Sequence, residues 1–410
     1  MNPLSRHNPT PPAIRSNRFW RALPGGMRRR WWWFRPFDLL ARYWPIGRTR
    51  RGLVVVRMDG IGDMVLFRNA LDQYAGAFAV DPHDITVIGC HSWGALAPEL
   101  FRGYRVVAID EHAYAKKPFY RFAINLKVRH LAPETVVSDS YFRRALMADS
   151  LVWMMAPARS VVSYPYINAP TRSEFTYYMS TVDQVIDTGP YPTHELIRHA
   201  RFIEQVSGIR TPLQTPRLNW PDHVAPFDIA RPYAVLNPGS NEYGRRWPIG
   251  KYLELAQWIR DRGLAVVFVG KADERADGAA VAALADGRTI IDLTGKTGIA
   301  DLLDLMKQAA LVVSNDTGPA HLAIGLGVAT VVIIGGGHFG SFVPYPAAVT
   351  PSNVRFVYEK MACYHCFWRC HKRDDKFASF PCISNIGSAA VQTACRGVYP
   401  PLADRYDGDA

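Results

Sequence analysis

The stretch Leu311-Val312-Val313-Ser314-Asn315-Asp316-Thr317-Gly318-Pro319-Ala320-His321-Leu322-Ala323 decides how the rest of the chain is read. A short β-branched run ends in a polar cluster and gives way to small residues. It predicts a buried strand that delivers a carboxylate, a hydroxyl and a glycine to the start of a helix. Pro319 suits the first helical turn, where a missing N–H costs nothing. The amides after Gly318 and the positive end of the helix dipole would favour an anion, such as a phosphorylated ligand. Asp316 and Thr317 are also ordinary helix caps, so the stretch alone leaves cap and phosphate site both open.

Composition narrows the field. A chain of 410 residues with 48% hydrophobic and 20% charged residues has room for two or three domains with real cores. The net charge of +12 is not spread out: residues 1–51 hold twelve Arg, no Lys and a single acid, Asp38, and so carry +11 of it. The remaining body is close to neutral, which argues against a nucleic-acid groove. No run of 18 apolar residues and no N-terminal apolar core is present, so neither a spanning helix nor a signal peptide is expected, and the expected location is cytoplasmic. Five of the six Cys lie after residue 360, an unusual set for structural disulfides in that compartment.

The basic arm, residues 1–48, interleaves Arg with Trp and Phe through Arg28-Arg-Arg-Trp-Trp-Trp-Phe-Arg-Pro-Phe37. Aromatic rings at headgroup depth and basic groups near anionic lipid suit a membrane surface. A disordered or packed tail and a single-stranded nucleic-acid arm are the other readings of the same residues.

From residue 49 the pattern becomes α/β. Leu53–Met58 is a short buried strand, followed by the turn Asp59-Gly60-Ile61-Gly62-Asp63 and a helical run. Gly60 and Gly62 permit a tight turn with close backbone approach, and Asp63 would stand at the carboxyl edge of the sheet, where open α/β sheets bind ligands. A simple helix N-cap is the other reading of Asp63. The G-x-G-x-x-G fingerprint is absent, which disfavours a nicotinamide oxidoreductase. Further strands are predicted near 85–89, 106–109, 135–138 and 161–163, with residues 164–195 as a long loop. A Pro-punctuated run over 211–232 reads as a connection.

A second series opens with strand Tyr233–Asn237 and the loop Pro238-Gly239-Ser240 to Arg245-Arg246-Trp247-Pro248. Amides, a hydroxyl and guanidinium groups there would suit a diphosphate. Either Arg could also be a solvated surface charge. Strand 264–270 leads to Glu274, a carboxylate placed for a ribose or base, or merely for a cap. Strands at 290–293, 311–315 and 330–334 complete a second doubly wound parallel sheet. The expected division is an arm, 1–48; a first Rossmann-like domain, 49–225; a second, 226–350; and a Cys-rich segment, 351–410, whose helix packs back on the first domain.

Three linked pieces, R-x-D-x-I-G-D, P-G-S with R-R-W-P, and S-N-D-T-G-P-A-H-L-A with G-K-T upstream, together resemble glycosyltransferase family 9, the heptosyltransferases of lipopolysaccharide core synthesis. The resemblance runs from about Leu53 to about Val391. It implies a GT-B fold with two Rossmann-like domains facing a cleft, the acceptor held by the first and a nucleotide-sugar, first of all ADP-heptose, by the second. It also implies inverting, metal-independent transfer to a lipid-linked or lipopolysaccharide-type glycan at the inner face of the cytoplasmic membrane. By motif, Asp63 takes the place of the general base, with Asp59 as the alternative. Gly239, Ser240, Arg245, Arg246, Glu274, Asp316, Thr317, Gly318 and His321 fall on the donor side. Arg245 stands where the family usually carries Lys, a fork in place of a point charge. The run Gly335-Gly336-Gly337-His338 is richer in glycine than the family pattern, which opens the donor's identity. Another nucleotide sugar, or a non-catalytic nucleotide-sugar-binding scaffold of envelope synthesis, are the alternatives.

Cys363, Cys366, Cys370 and Cys382, spaced C-x₂-C-x₃-C with a fourth twelve positions on, are compatible with structural zinc or with packed, redox-capable thiols.

Overall fold

The computed structural model describes residues 26–224, 227–272, 275–373 and 375–403, without the side chains of 275–277. It resolves into two compact units. Residues up to Gly60 with Phe67–Leu213 form the first, and Ile61–Leu66 with Gln214 onward form the second. The second unit thus begins within the Pro-punctuated run, and one short piece of the early chain groups with it.

In the first unit six strands, β1 (Leu53–Arg57), β2 (Ile85–Cys90), β3 (Arg105–Ile109), β4 (Thr135–Ser138), β5 (Arg159–Ser163) and β6 (Gln184–Ile186), form one sheet in the order β3-β2-β1-β4-β5-β6. Every pairing is parallel. The second unit repeats the plan with β7 (Tyr233–Asn237), β8 (Ala265–Phe268), β9 (Ile290–Asp292), β10 (Leu311–Asn315), β11 (Thr330–Ile333) and β12 (Val354–Val357), in the order β12-β11-β10-β7-β8-β9. Read from its other edge this is the same winding. Each sheet reverses direction between its first and fourth strands, and the crevice at the carboxyl ends of those two strands is where such sheets bind ligands. The central strands are buried on both faces, which is why β1, β7 and β10 read as unbroken apolar runs.

Helices of eight or more residues are α1 (Arg29–Arg42), α2 (Ile61–Leu71), α3 (Pro118–Arg129), α4 (Arg172–Met179), α5 (Glu195–Ser207), α6 (Ile249–Arg260), α7 (Arg275–Leu284), α8 (Ile299–Gln308), α9 (Gly318–Gly325) and α10 (Ser388–Val398). No described helix is long and apolar enough to cross a membrane.

Two expectations need correction. Residues 164–195 are not one loop: they contain α4 and β6, a three-residue edge strand too short to leave a periodic signal. A further edge strand, β12, pairs with β11 beyond the predicted last strand. Helix α10 of the Cys-rich segment has its inner side chains Val391, Cys395 and Val398 in the core of the second unit with Trp247, Leu255 and Phe268.

The arm, from Gly26 on, is part of the first unit. Asp38 is the buried hinge of that packing: its carboxylate accepts from Arg121 on α3 at 2.9 and 2.8 Å and from Asn125 at 2.7 Å. Removing one partner of a buried pair strands the other charge. Asp38→Ala is expected to lower the stability of the first unit by about 3–5 kcal/mol, with Asp38→Leu/Arg121→Met recovering much of it; equal urea midpoints for wild type and Asp38→Ala would contradict this account of the arm.

Candidate functional site

In the second unit the switch point falls between β7 and β10, and their polar ends are bonded together. Asn237 Nδ2 donates to Ser314 Oγ at 3.0 Å and to Thr317 Oγ1 at 3.3 Å. Asn315 answers from the other strand, donating to the Pro238 carbonyl at 2.7 Å and accepting the Trp247 amide at 3.1 Å. These neutral bonds hold the loop after β7 against the loop after β10.

Arg245 joins the same two loops. Its guanidinium pairs with the Asp316 carboxylate at 3.2 Å and also donates to the Asp316 carbonyl. It lies over the Trp368 ring, 4.5 Å from the centroid. Its Nε is buried without a hydrogen-bond partner among the described residues, as is the hydroxyl of buried Ser240. Two unsatisfied donors at a strand-end crevice are what a phosphate oxygen would complete. Gly239 is buried beside Ser240. Arg246 is different: it turns back to the Ser240 carbonyl at 3.0 Å and stacks on Tyr243, so it closes its own loop.

The helix of the deciding stretch is α9. Thr317 is its N-cap residue, yet its side chain makes no capping bond; the hydroxyl bonds toward Asn237 and the Asn315 carbonyl instead. Asp316 is tied to Arg245. Neither residue does the capping that was the alternative reading, and Gly318 begins the helix with Pro319 in its first turn.

His321, one turn into α9, is buried and pairs through Nδ1 with the Tyr345 hydroxyl at 2.8 Å. Burial pushes its pKa down to about 4; Arg245 acts in the same direction and Asp316 opposes. The imidazole is therefore neutral near pH 7. A Cβ on Gly62 would come within 2.8 Å of its ring, and a Cβ on Gly318 within 3.0 Å of Ile61. The first turn of α2, which carries half-buried Asp63, thus packs on the first turn of α9 within the second unit. Gly60, just before it, is exposed.

At the switch point of the first sheet the ends of β1 and β4 are bonded by charge. Arg57 is 1% exposed and shares its guanidinium between Asp139 at 2.7 Å and Asp59 at 2.8 Å. Ser140 Oγ donates to Asp59 at 2.6 Å, and His199 Nδ1 on α5 lies 2.7 Å from Asp139. Burial pushes the pKa of Asp59 up, and Arg57 and Ser140 counteract it. For Asp139 burial acts upward too, but Arg57 and His199 outweigh it and hold the group well below the usual carboxylate range. Asp59, weighed as an alternative base, is engaged by Arg57 and Ser140.

Sequence reasoning missed Arg57, Asp139, Ser140, His199, Asn237 and Asn315. For Arg57, Asn237 and Asn315 the available signal was a polar side chain closing an apolar strand; Asp139, Ser140 and His199 carried none. Glu274 lies outside the described residues.

Cys363, Cys366, Cys370 and Cys382 line one small cavity with Tyr364 and Trp368, and all six cysteines are free thiols. Burial pushes the Cys382 thiol up to about 11. Among the described residues no three of these sulfurs lie within 4.8 Å of one another. The glycine run packs beneath this segment: a Cβ on Gly336 would strike Tyr364 and one on Gly337 would strike Trp368, while His365 and Phe367 donate amides to the Gly336 and Gly337 carbonyls at 2.6 and 3.0 Å. Its departure from the family pattern thus has a packing cause.

Comparison with known proteins bears on this arrangement. The chain matches the model of glycosyltransferase family 9 (heptosyltransferase) over residues 152–371, more than half its length. It is 31% identical over 110 residues to lipooligosaccharide heptosyltransferase 2 of Haemophilus influenzae, an alignment covering 26% of this chain and 32% of that protein. The chain thus spans about a third of the length of the curated relatives it matches. Among solved structures it is similar to the E. coli ADP-heptose lps heptosyltransferase II, with TM-score 0.62, 17% identity and coverage of 86% of this chain and 98% of that one. It is also similar to the iron-containing dodecameric glycosyltransferase TibC of enterotoxigenic E. coli, with TM-score 0.53, 14% identity and coverage of 86% and 79%. Two six-stranded parallel sheets with this winding are a GT-B fold.

The neutral, buried His321 carries a stability signature. Its folded pKa of about 4 lies below the ordinary 6.5, so the unfolded chain binds the proton first as pH falls. The stabilisation is complete above pH 6.5 and is lost between 6.5 and 4, on the order of 3 kcal/mol. Melting temperature measured across that range should fall less steeply for His321→Asn than for wild type; parallel curves would refute the assignment.

Proposed function

The chain belongs to glycosyltransferase family 9, the heptosyltransferase family, and from that premise we propose that it transfers a sugar, with inversion, from a nucleotide-diphosphate donor to a hydroxyl of an envelope glycan. ADP-heptose is the donor to test first, and a lipopolysaccharide-type or other lipid-linked glycan at the cytoplasmic membrane face is the acceptor. The observation that carries the reading is the pair of unsatisfied buried donors, Ser240 Oγ and Arg245 Nε, at the crevice where β7 and β10 diverge.

The chemistry follows from the charges. Displacement at an anomeric carbon needs a base for the acceptor hydroxyl on one face and positive charge for the departing diphosphate on the other. Arg245, Ser240 and the first turn of α9, from Thr317 and Gly318, supply the second with protein groups alone, and Asp316 orients Arg245. Neutral His321 offers a hydrogen bond without adding charge. Asp63, in the first turn of α2, is the base in this reading. Asp59 spends its charge on Arg57 and serves the turn.

The four thiols support a second, accessory element. A Cys₄ donor set suits a sulfur-ligated ion, zinc or iron, once deprotonated. Cys363, Cys366, Cys370 and Cys382 would hold it, and it would supply a fixed frame for the loop that bears Trp368 under Arg245. Their sulfurs would have to draw together on binding.

Asp63→Asn is expected to keep the rise in melting temperature that ADP produces, yet to lose transfer by about a hundredfold or more. Asp59→Asn should cost less in transfer than Asp63→Asn; near-normal turnover in Asp63→Asn would reject the base, and no response of wild type to ADP or ADP-heptose would reject the donor. For the thiols, elemental analysis of purified protein should find stoichiometric zinc or iron that Cys363→Ser/Cys366→Ser loses. Finding neither ion in wild type would leave them as packed thiols.

A further inference from the structure

Helix α1 has two faces with opposite fates. Trp31, Phe34, Arg35, Asp38 and Ala41 are buried against the first unit. They are pinned by the Asp38–Arg121 pair, by Arg35 Nη2 donating to the Tyr177 hydroxyl at 2.5 Å, and at the helix start by the ion pair between Arg28 and Glu174. The opposite stripe, Trp33, Phe37 and Leu40, followed by Trp44 just past the helix, recurs at helical spacing and is exposed. Trp33 is 66% exposed. Phe119, the second residue of α3, is 79% exposed and lies edge-on to Phe37 with ring centroids 6.4 Å apart. Large apolar side chains from two helices therefore form one outward patch on a fixed support, rather than scattered exposures.

The exposed charges on α1 and α3 themselves are all basic, while exposed Asp110, whose amide donates to the Tyr120 hydroxyl beside Phe119 at 3.0 Å, is an acid at the margin. Arg29 and Arg30 at the start of α1, Lys116 and Lys117 just before α3, and Arg48, Arg50 and Arg51 after α1 are all exposed. Neither α1 nor α3 carries an exposed acid, because Asp38 is turned inward. Amphipathic tryptophan and apolar phenylalanine beside a largely basic rim match the acyl–headgroup boundary of an anionic bilayer, where each basic group near the surface adds attraction and the rings sit at headgroup depth.

We infer that the outer face of α1, joined by Phe119, is a rigid docking surface that seats the first unit on an anionic membrane. The inference rests on the proposed lipid-linked acceptor and deepens it: the enzyme would meet its acceptor from a fixed face rather than through a loose tail. An apolar contact and an electrostatic one act together, so neither alone gives firm attachment.

The test is co-sedimentation of the full-length chain with vesicles of phosphatidylglycerol and phosphatidylethanolamine, against vesicles of phosphatidylcholine. Wild type should sediment with the anionic vesicles and be released by salt. Trp33→Ser/Phe37→Ser should weaken the partition by at least about tenfold. Arg29→Glu/Arg30→Glu should weaken it and flatten its salt dependence. Far-ultraviolet circular dichroism and melting temperature confirm that the variants, all at exposed positions, remain folded. The proposal is overturned if wild type ignores anionic vesicles, if the aromatic variant binds them like wild type, or if the same variants instead lose binding to a single-stranded oligonucleotide. The rise in melting temperature with ADP, read on the same samples, reports on the transferase reading alone, so failure of one is distinguishable from failure of the other.

Discussion

A guanidinium at the end of the first strand sets the terms for the turn that follows it. Arg57 is removed from water by the sheet around it, and an unpaired charge there would cost several kcal/mol. The chain answers with two carboxylates, Asp139 from the fourth strand and Asp59 from the turn, and each is held again from behind, by His199 and by Ser140. Phe67 on α2 lies against the face of the same guanidinium, 4.5 Å from it. The turn leading to Asp63 is thereby fixed by electrostatics that cannot be relaxed one residue at a time.

The second sheet meets the same requirement with neutral groups. Where its direction reverses, asparagine amides and hydroxyls join β7 to β10, and only then does a charged pair, Arg245 with Asp316, appear at the rim. The difference matters for chemistry. A rim cation that is partly exposed can meet a diphosphate, whereas a cation buried like Arg57 can only hold protein. The two halves therefore share a winding but divide the work: internal charge neutralisation on one sheet, and charge offered outward on the other.

Much of this was legible in the residues. Unbroken β-branched runs announced the central strands because burial on both faces leaves no alternation to blur them. The glycine turn before Asp63 and the stretch after Leu311 announced the two crevices, since tight turns at strand ends demand particular residues. The edge strands β6 and β12 were not legible: three or four residues at a sheet margin carry no period. Nor were the partners of Arg57, because Asp139 and His199 lie far along the chain and only the fold brings them together. Ser240 and Arg245 could be named from their motif, but that one hydroxyl and one Nε would be left unsatisfied belongs to three-dimensional packing.

The glycine run 335–337 has a consequence for how such chains diverge. The rings of Tyr364 and Trp368 occupy the volume that side chains at 336 and 337 would need, and Ile383 and Cys382 crowd 335 in the same way. Neither partner can change alone without a clash or a void. A descendant that shed the aromatic, cysteine-bearing loop would be released to fill those positions with larger residues, while one that keeps the loop must keep the glycines. The two segments are bound to evolve as a single inherited character, and the glycine run becomes a marker by which the presence of the loop could be read in a sequence before any cysteine is counted.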